Sequence, residues 1–101
     1  MNDLEEFNYI NNLYEIYGSL LTENQILIMD QYYKFNLSLS EIADENKISR
    51  SAVLDSLKHS KEKLLYYEEK LNFFKKRELV SKKLNKNNLN SELIKEILED
   101  L

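Results

Sequence analysis

Apolar residues recur at three- and four-residue steps over residues 1–34, and this period predicts two amphipathic helices that pair as a hairpin. The first helix begins at a cap of Asn2 or Asp3 and ends at Gly18, where we expect the left-handed conformation. The second begins at Thr22, which has Gln25 at capping-box spacing. The predicted inner faces are Leu4, Phe7, Ile10, Leu13, Tyr14 and Tyr17 in the first helix and Ile26, Met29, Tyr32 and Tyr33 in the second.

Residues 38–58 have the pattern of a helix-turn-helix, in which two capped helices are joined by a tight turn. Ser38 and Glu41 repeat the capping-box spacing and open a short helix. We expect the turn at Asn46, because asparagine tolerates a positive φ angle, and we expect Ile48 to be inserted into the core. The inward residues of the short helix are Leu39, Ile42 and Ala43.

The second helix of the motif begins at the cap Ser49 and is anchored by Val53 and Leu57. In such motifs the N-terminal residues of the second helix face the bases of the major groove. The candidate nucleic-acid contacts are Ser49, Arg50, Ser51, Lys58 and His59. Asp55 and Leu54 share the outward face and suit nucleic acid poorly, so the spacing alone leaves nucleic-acid and protein partners as equal alternatives.

Residues 50–84 contain neither proline nor glycine, and we predict one uninterrupted helix. Along one face its apolar residues are Val53, Leu57, Leu64, Tyr67, Leu71 and Phe74. With Ser60 in the intervening position, the steps alternate between four and three residues, the period of a heptad seam. Such a helix would be about 50 Å long, more than this domain can cover. We therefore expect a homodimer with Leu64, Tyr67, Leu71 and Phe74 at its interface.

The alternative to the dimer is an intramolecular hairpin. Residues 85–90 form a polar break, and residues 91–101 follow as a short last helix that could fold back over Leu71 and Phe74. The apolar side of this helix consists of Ile94, Ile97, Leu98 and Leu101.

Composition supports a helical protein. The chain has 101 residues with one glycine and no proline or cysteine, whereas sheets need many glycine-rich turns. We predict a single all-α domain, a helix-turn-helix bundle. It comprises an N-terminal helical hairpin (1–37), the helix-turn-helix (38–58), and a long extension helix with a short last helix (59–101).

The N-terminal residues and the hydropathy predict the cellular location. The first residues are acidic, with no basic start followed by an apolar run, so we expect no secretory peptide. No apolar run approaches the roughly 20 residues of a membrane helix. We expect a cytoplasmic protein without a membrane span.

Charge is divided unevenly along the chain, whose formal net charge is −4. Residues 1–50 have nine acidic and three basic side chains, whereas residues 58–86 have ten basic and four acidic ones. Such a field could steer a polyanion to one face. We expect Lys75, Lys76 and Arg77 to contact RNA or DNA backbone, and the alternative is a solubilising helix end.

The sequence contains few of the residue types that usually carry out catalysis. His59 is the single histidine and cysteine is absent, so neither a nucleophile–base pair nor a closed set of metal ligands is apparent. We expect no enzymatic activity, no metal and no cofactor.

Several motifs taken together resemble the YlxM-type family of small helix-turn-helix proteins from low-GC Gram-positive bacteria and mollicutes. The matching elements are Leu20-Leu21-Thr22, Gln25, Tyr32-Tyr33, Leu37 to Ala43, Ile48-Ser49-Arg50, Ala52-Val53, Asp55, Leu57-Lys58, and Tyr67-Glu68 to Leu71 with Lys75. The same residues also resemble, more broadly, the promoter-reading C-terminal domain of sigma factors. Leu54, Ser56 and His59 depart from the family pattern. These departures reduce the number of polar and cationic side chains on the outward face of the second helix.

The genes of this family lie beside those for signal recognition particle components, so the resemblance implies a regulatory role in that pathway. Our first hypothesis is a protein that binds the particle's RNA, or DNA, through the cations named above. The second is a protein-interaction module that contacts a partner such as the particle's GTPase through Leu54, Tyr66 and Phe73. A sigma-like transcription regulator is the third.

Overall fold

The computed structural model describes residues 1–86 and 91–99, and within them it confirms the all-α fold. The elements are α1 (Asp3–Tyr17), α2 (Glu23–Met29), α3 (Leu39–Asn46), α4 (Arg50–Leu71), α5 (Phe73–Lys86) and α6 (Ser91–Glu99). A 3₁₀ turn (Gly18–Leu20) follows α1, and α2 continues into a π-helical segment (Asp30–Lys34). No helix in the described part of the chain is long and apolar enough to cross a membrane.

Helix α4 is the centre of the fold, because α1, α2 and α3 all pack against it. The buried core consists of Ile10, Leu13, Tyr14, Tyr17, Leu21, Ile28, Met29, Ile42, Ala43, Val53, Leu57 and Leu64. Most of the predicted inner faces are therefore confirmed. The prediction that Leu4 faces the core is wrong. Leu4 lies in the first turn of α1, before the first buried residue, and is 69% exposed.

The two predicted capping boxes are both present. The Thr22 hydroxyl accepts the Gln25 N–H at 3.2 Å while Gln25 Oε1 accepts the Thr22 N–H at 3.1 Å. In the second box the Ser38 hydroxyl accepts the Glu41 N–H at 3.1 Å, and Glu41 Oε1 accepts the Ser38 N–H at 3.0 Å. Because each box satisfies two otherwise unpaired groups of the first turn, the starts of α2 and α3 are fixed by local sequence.

Gly18 terminates α1 without the expected left-handed conformation. Its φ angle is −55°, within the right-handed region. The position requires glycine for space, since a Cβ atom there would lie 2.8 Å from the ring of Tyr14. Close packing against an aromatic ring, and not backbone freedom, therefore explains the single glycine.

The turn between α3 and α4 is made by Lys47, not by Asn46 as predicted. Lys47 has a φ angle of 54°, while the Asn46 side chain donates to the Ile42 carbonyl and to Gln31. Bonds from Lys47 N–H to the Asp44 carbonyl and from Ile48 N–H to the Ala43 carbonyl form a Schellman motif. Ile48 follows this left-handed residue and is 38% exposed, so the expected insertion into the core is wrong.

The predicted uninterrupted helix over 50–84 is also wrong, because the chain breaks at Asn72. This residue is left-handed, with a φ angle of 55°, and it separates α4 from α5. Asparagine adopts this conformation more readily than other non-glycine residues. The first half of the heptad seam is buried, but Leu71, next to the break, is 39% exposed.

A buried carboxylate fixes the junction between α4 and α5. Glu68 Oε1 accepts the Tyr17 hydroxyl at 2.6 Å and the Phe74 N–H at 3.1 Å, and Oε2 accepts the Lys75 N–H at 3.2 Å. The Tyr17 oxygen in turn accepts the Phe73 N–H at 3.1 Å. Glu68 thus caps the N-terminus of α5 and ties it to α1, which compensates the cost of burying a charge.

Helix α6 packs against α5, so the last helix folds back within the chain, but Leu71, which we expected it to cover, is 39% exposed. Ile94 is its buried residue, with 6% of its surface exposed. Leu101 and most of the predicted polar break lie outside the described residues.

Ser60 is a polar residue within the buried face of α4, and its burial predicts an effect on stability. It is fully buried, and its hydroxyl has no hydrogen-bond partner. Because an unsatisfied buried hydroxyl is costly, Ser60→Ala should raise the free energy of unfolding by about 1 kcal/mol, measured by urea denaturation. Ser56→Ala is the matched control for helix propensity and should give a smaller gain. A loss of stability in Ser60→Ala would contradict this assignment.

Alkaline titration tests the Tyr17–Glu68 contact. Burial, and then the hydrogen bond to Glu68, raises the pKa of Tyr17 to about 12. An unfolded tyrosine ionises near pH 10, so this contribution to stability is complete below about pH 10 and is lost as the pH rises to about 12. Burial also raises the pKa of Tyr33 to about 12.

Tyr17→Phe should therefore lower the free energy of unfolding at pH 8 by about 1–3 kcal/mol, because Glu68 loses a donor. It should also make the fall in stability between pH 10 and 12 shallower than in the unmodified protein, with the remaining fall due to the other buried tyrosines. Urea denaturation at each pH measures both effects. An unchanged slope across that range would exclude Tyr17 as a contributor.

Candidate nucleic-acid interface

The N-terminal turns of α4 present the predicted contact residues on an open surface. Ser49, Arg50, Ser51, Lys58 and His59 are all exposed, as are Leu54 and Asp55. On the opposite side of the same turns Val53 is fully buried and Leu57 is 7% exposed. The Schellman turn and the buried pair therefore hold this surface, which we call the recognition face, away from the core.

Most polar side chains of the recognition face can donate hydrogen bonds to a ligand. The Ser49 hydroxyl accepts the Ala52 N–H at 3.0 Å, which leaves its own hydrogen for another acceptor. The Arg50 guanidinium adds several donors with fixed charge. Asp55 is the exception, since its carboxylate can only accept.

Electrostatics favours an anion at the start of α4. The first turns of α1, α2, α3 and α6 each contain an acidic residue, whereas the first turn of α4 contains none. The partial positive charge of the helix N-terminus is therefore not neutralised within its own turn. The neighbouring α3 has the opposite character, because Glu41, Asp44 and Glu45 are exposed on it.

The second set of predicted contacts lies on α5. Lys75, Lys76 and Arg77 are exposed near its start, and its first turn contains no acidic residue, although Glu78 follows Arg77 directly. The Lys76 ammonium lies 5.9 Å from the centre of the Phe73 ring.

The structure does not bring the two sets together. Helix α4 has 22 residues, which at 1.5 Å per residue separates its ends by about 33 Å. The recognition face occupies the first three turns of α4, and even its last residue, His59, lies about 18 Å before the end of this helix. Only an extended ligand could contact both sets at once.

The residues predicted for a dimer interface are largely engaged within the chain. Leu64 is fully buried, Tyr67 packs against the core, and Phe74 packs edge-on against Tyr9 with ring centres 5.5 Å apart. Leu71 is the most exposed of the four. The apolar side chains that α4 and α5 leave open nearby are Leu65, Tyr66 and Phe73 at 43%, 56% and 45% exposure.

Sequence reasoning missed an open cleft of about 610 Å³ between the start of α2 and the middle of α4. It is lined by Gln25, His59, Glu62, Lys63, Tyr66 and Tyr67. His59 and Tyr66 are seven residues apart and so share one side of α4. That spacing is visible in the sequence, but the contribution of α2 is not.

Among the described residues, no three His, Cys, Asp or Glu side chains are grouped so that they could hold a metal ion. The recognition face and the cleft instead combine hydroxyl, guanidinium, ammonium, amide and aromatic groups. These are groups that bind by hydrogen bonding, charge and stacking.

Comparison with known proteins gives the family. Residues 4–101 match a family model described as "Putative helix-turn-helix protein, YlxM / p13 like". A protein of this family from Fusobacterium nucleatum is 40% identical over 100 residues, covering 97% of each chain. One from Malacoplasma penetrans is 40% identical over 99 residues, covering 95% of this chain and 92% of the relative. One from Desulforamulus reducens is 46% identical over 81 residues, covering 80% of this chain and 69% of the relative. The chain therefore belongs to the UPF0122 family of YlxM-like helix-turn-helix proteins.

Proposed function

We propose that this protein is a non-enzymatic, cytoplasmic regulator that binds nucleic acid through the recognition face of α4. The observation that carries the proposal is the open position of Arg50 and Lys58 beside the buried anchors Val53 and Leu57. This is the arrangement in which a helix-turn-helix presents its second helix to a ligand.

Phosphate contacts would lie at the start of α4. Arg50 supplies charge and bidentate donors, the hydroxyls of Ser49 and Ser51 supply neutral donors, and the helix N-terminus adds its dipole. Asp55, further along the face, repels phosphate but accepts hydrogen bonds from the amino groups of base edges. In this proposal its carboxylate lies over bases and not over the backbone.

The cations of α5 would provide a second, sequence-independent contact. Lys75, Lys76 and Arg77 can neutralise phosphates on the part of a long ligand that extends past the end of α4. As the ligand we propose the RNA of the signal recognition particle. This choice rests on the resemblance to YlxM-type proteins, whose genes lie beside those of the particle.

Charge removal on the recognition face tests the proposal. Arg50→Ala and Lys58→Ala should each weaken binding to the particle's RNA about tenfold at low salt, because each loses a phosphate contact. Each should also reduce the slope of log affinity against log salt by about one. Filter binding at several salt concentrations measures both quantities.

Lys95→Ala on α6 is the matched control, since this exposed lysine lies outside both proposed contacts. Its affinity should equal that of the unmodified protein. Absence of binding to the particle's RNA and to duplex DNA at low salt would refute the proposed function.

A protein-interaction module is the second candidate, and exposed apolar side chains favour it. Leu54 and Phe73 are 44% and 45% exposed. Phe73 also lines an apolar groove of about 680 Å³ with Leu79, Val80 and Leu98. Exposed apolar clusters of this kind are typical of protein contacts.

Under this second reading, Leu54→Ala and Phe73→Ala abolish capture of the particle's GTPase in a pull-down, while Lys75→Glu with Lys76→Glu does not. The physical reason is that the contact depends on apolar burial and not on charge. The opposite pattern would exclude the interaction module and favour the nucleic-acid reading.

A further inference from the structure

Tyr66 differs from the other six tyrosines of the chain. The other six lie in the core or pack against it, whereas Tyr66 is 56% exposed. Its ring is held by neighbours on α4: Tyr67 lies at 6.0 Å with an interplanar angle of 66°, and the Lys70 ammonium lies 5.7 Å from the ring centre. An exposed aromatic ring beside a cation is a platform on which a nucleobase can stack.

Gln25 gives the same cleft a fixed hydrogen-bond donor. Its Oε1 accepts the Thr22 N–H at 3.1 Å and the Lys63 Nζ at 3.3 Å. These two bonds assign the carboxamide oxygen and thereby fix the orientation of the side chain. The amino group Nε2 then remains as a donor pair for a ligand.

Glu62 supplies an acceptor. It precedes Tyr66 by one helical turn and lines the cleft with it. The Lys63 ammonium lines the same cleft, so the two formal charges offset each other and the cleft suits an uncharged ligand. The two oxygens of Glu62 can accept two adjacent hydrogen bonds.

We propose that this cleft, which we call the Tyr66 cleft, binds an unpaired guanine of RNA. Guanine has two adjacent donors, N1–H and the N2 amino group, beside the acceptor O6. The donors match the carboxylate of Glu62, and O6 matches the amino group of Gln25. Adenine and cytosine each offer a single amino donor beside a ring-nitrogen acceptor, and uracil places its one donor between two acceptors.

The base must be unpaired, because pairing occupies this edge and stacking in a helix covers the face that Tyr66 needs. Unpaired bases of RNA loops and bulges are commonly recognised in this manner. The inference rests on the proposed function and adds to it the kind of nucleotide that is read. In this scheme the recognition face supplies the backbone contacts and the base-edge contact of Asp55, and the Tyr66 cleft binds one unpaired base.

Three RNA hairpins test the inference with the full-length protein: one with a single bulged guanine, one with adenine at that position, and one without a bulge. The unmodified protein should bind the guanine hairpin about tenfold more tightly than the other two. Tyr66→Ala should weaken binding of both bulged hairpins and leave binding of the hairpin without a bulge unchanged. Tyr66→Phe should bind all three like the unmodified protein, because stacking needs the ring and not the hydroxyl.

Two further variants sharpen the test. Glu62→Gln should reduce the preference for guanine over adenine to less than about threefold, because one acceptor is replaced by a donor. Leu65→Ala is the matched control, since Leu65 is an exposed neighbour on α4 that does not line the cleft. It should leave all three affinities unchanged.

The outcomes separate this inference from the proposed function. If the three hairpins bind equally and binding depends on Arg50 but not on Tyr66, the proposed function stands and the guanine site is overturned. If no hairpin binds at low salt, the guanine site is overturned, and the proposed function is overturned only if the particle's RNA and duplex DNA also fail to bind. If Tyr66→Ala disrupts capture of a protein partner and leaves the RNA affinities unchanged, the cleft is a protein contact and the guanine site is again overturned.

Discussion

One buried stripe along α4 determines most of this structure. Val53 and Leu64 on that stripe are fully buried, and α1, α2 and α3 pack around it. The same helix exposes the recognition face on its other side. Because one rigid element closes the core and presents the candidate interface, the direction of the exposed side chains is set by core packing.

The second determinant is the buried carboxylate of Glu68. It binds the Tyr17 hydroxyl and two backbone N–H groups of α5, so the direction in which the chain leaves α4 is fixed. Removing one partner would leave a buried charge partly unpaired, which is far more costly than losing a surface contact. This junction separates the cations of α5 from the recognition face. The extended ligand that we propose would have to span this separation.

Sequence predicted the features that depend on neighbours along the chain. The capping boxes at Thr22 and Ser38 were predicted because three-residue spacing suffices to form them. The left-handed positions were misplaced or missed. Lys47 adopts this conformation although lysine has no local preference for it, and the break at Asn72 was missed although asparagine has that preference. The helical period of the sequence correctly predicted which residues of α4 face outward. The period could not predict the Tyr66 cleft, because this cleft is lined by side chains from two helices, α2 and α4.

The central claim is that the recognition face contacts nucleic acid. Backbone amide NMR of the labelled protein, titrated with the particle's RNA at low salt, tests it most directly. The account predicts the largest shift changes at residues 49–51 and 58–59, with smaller ones at the start of α5. Changes confined to α5 and α6, with residues 49–59 unaffected in the presence of saturating RNA, would contradict it.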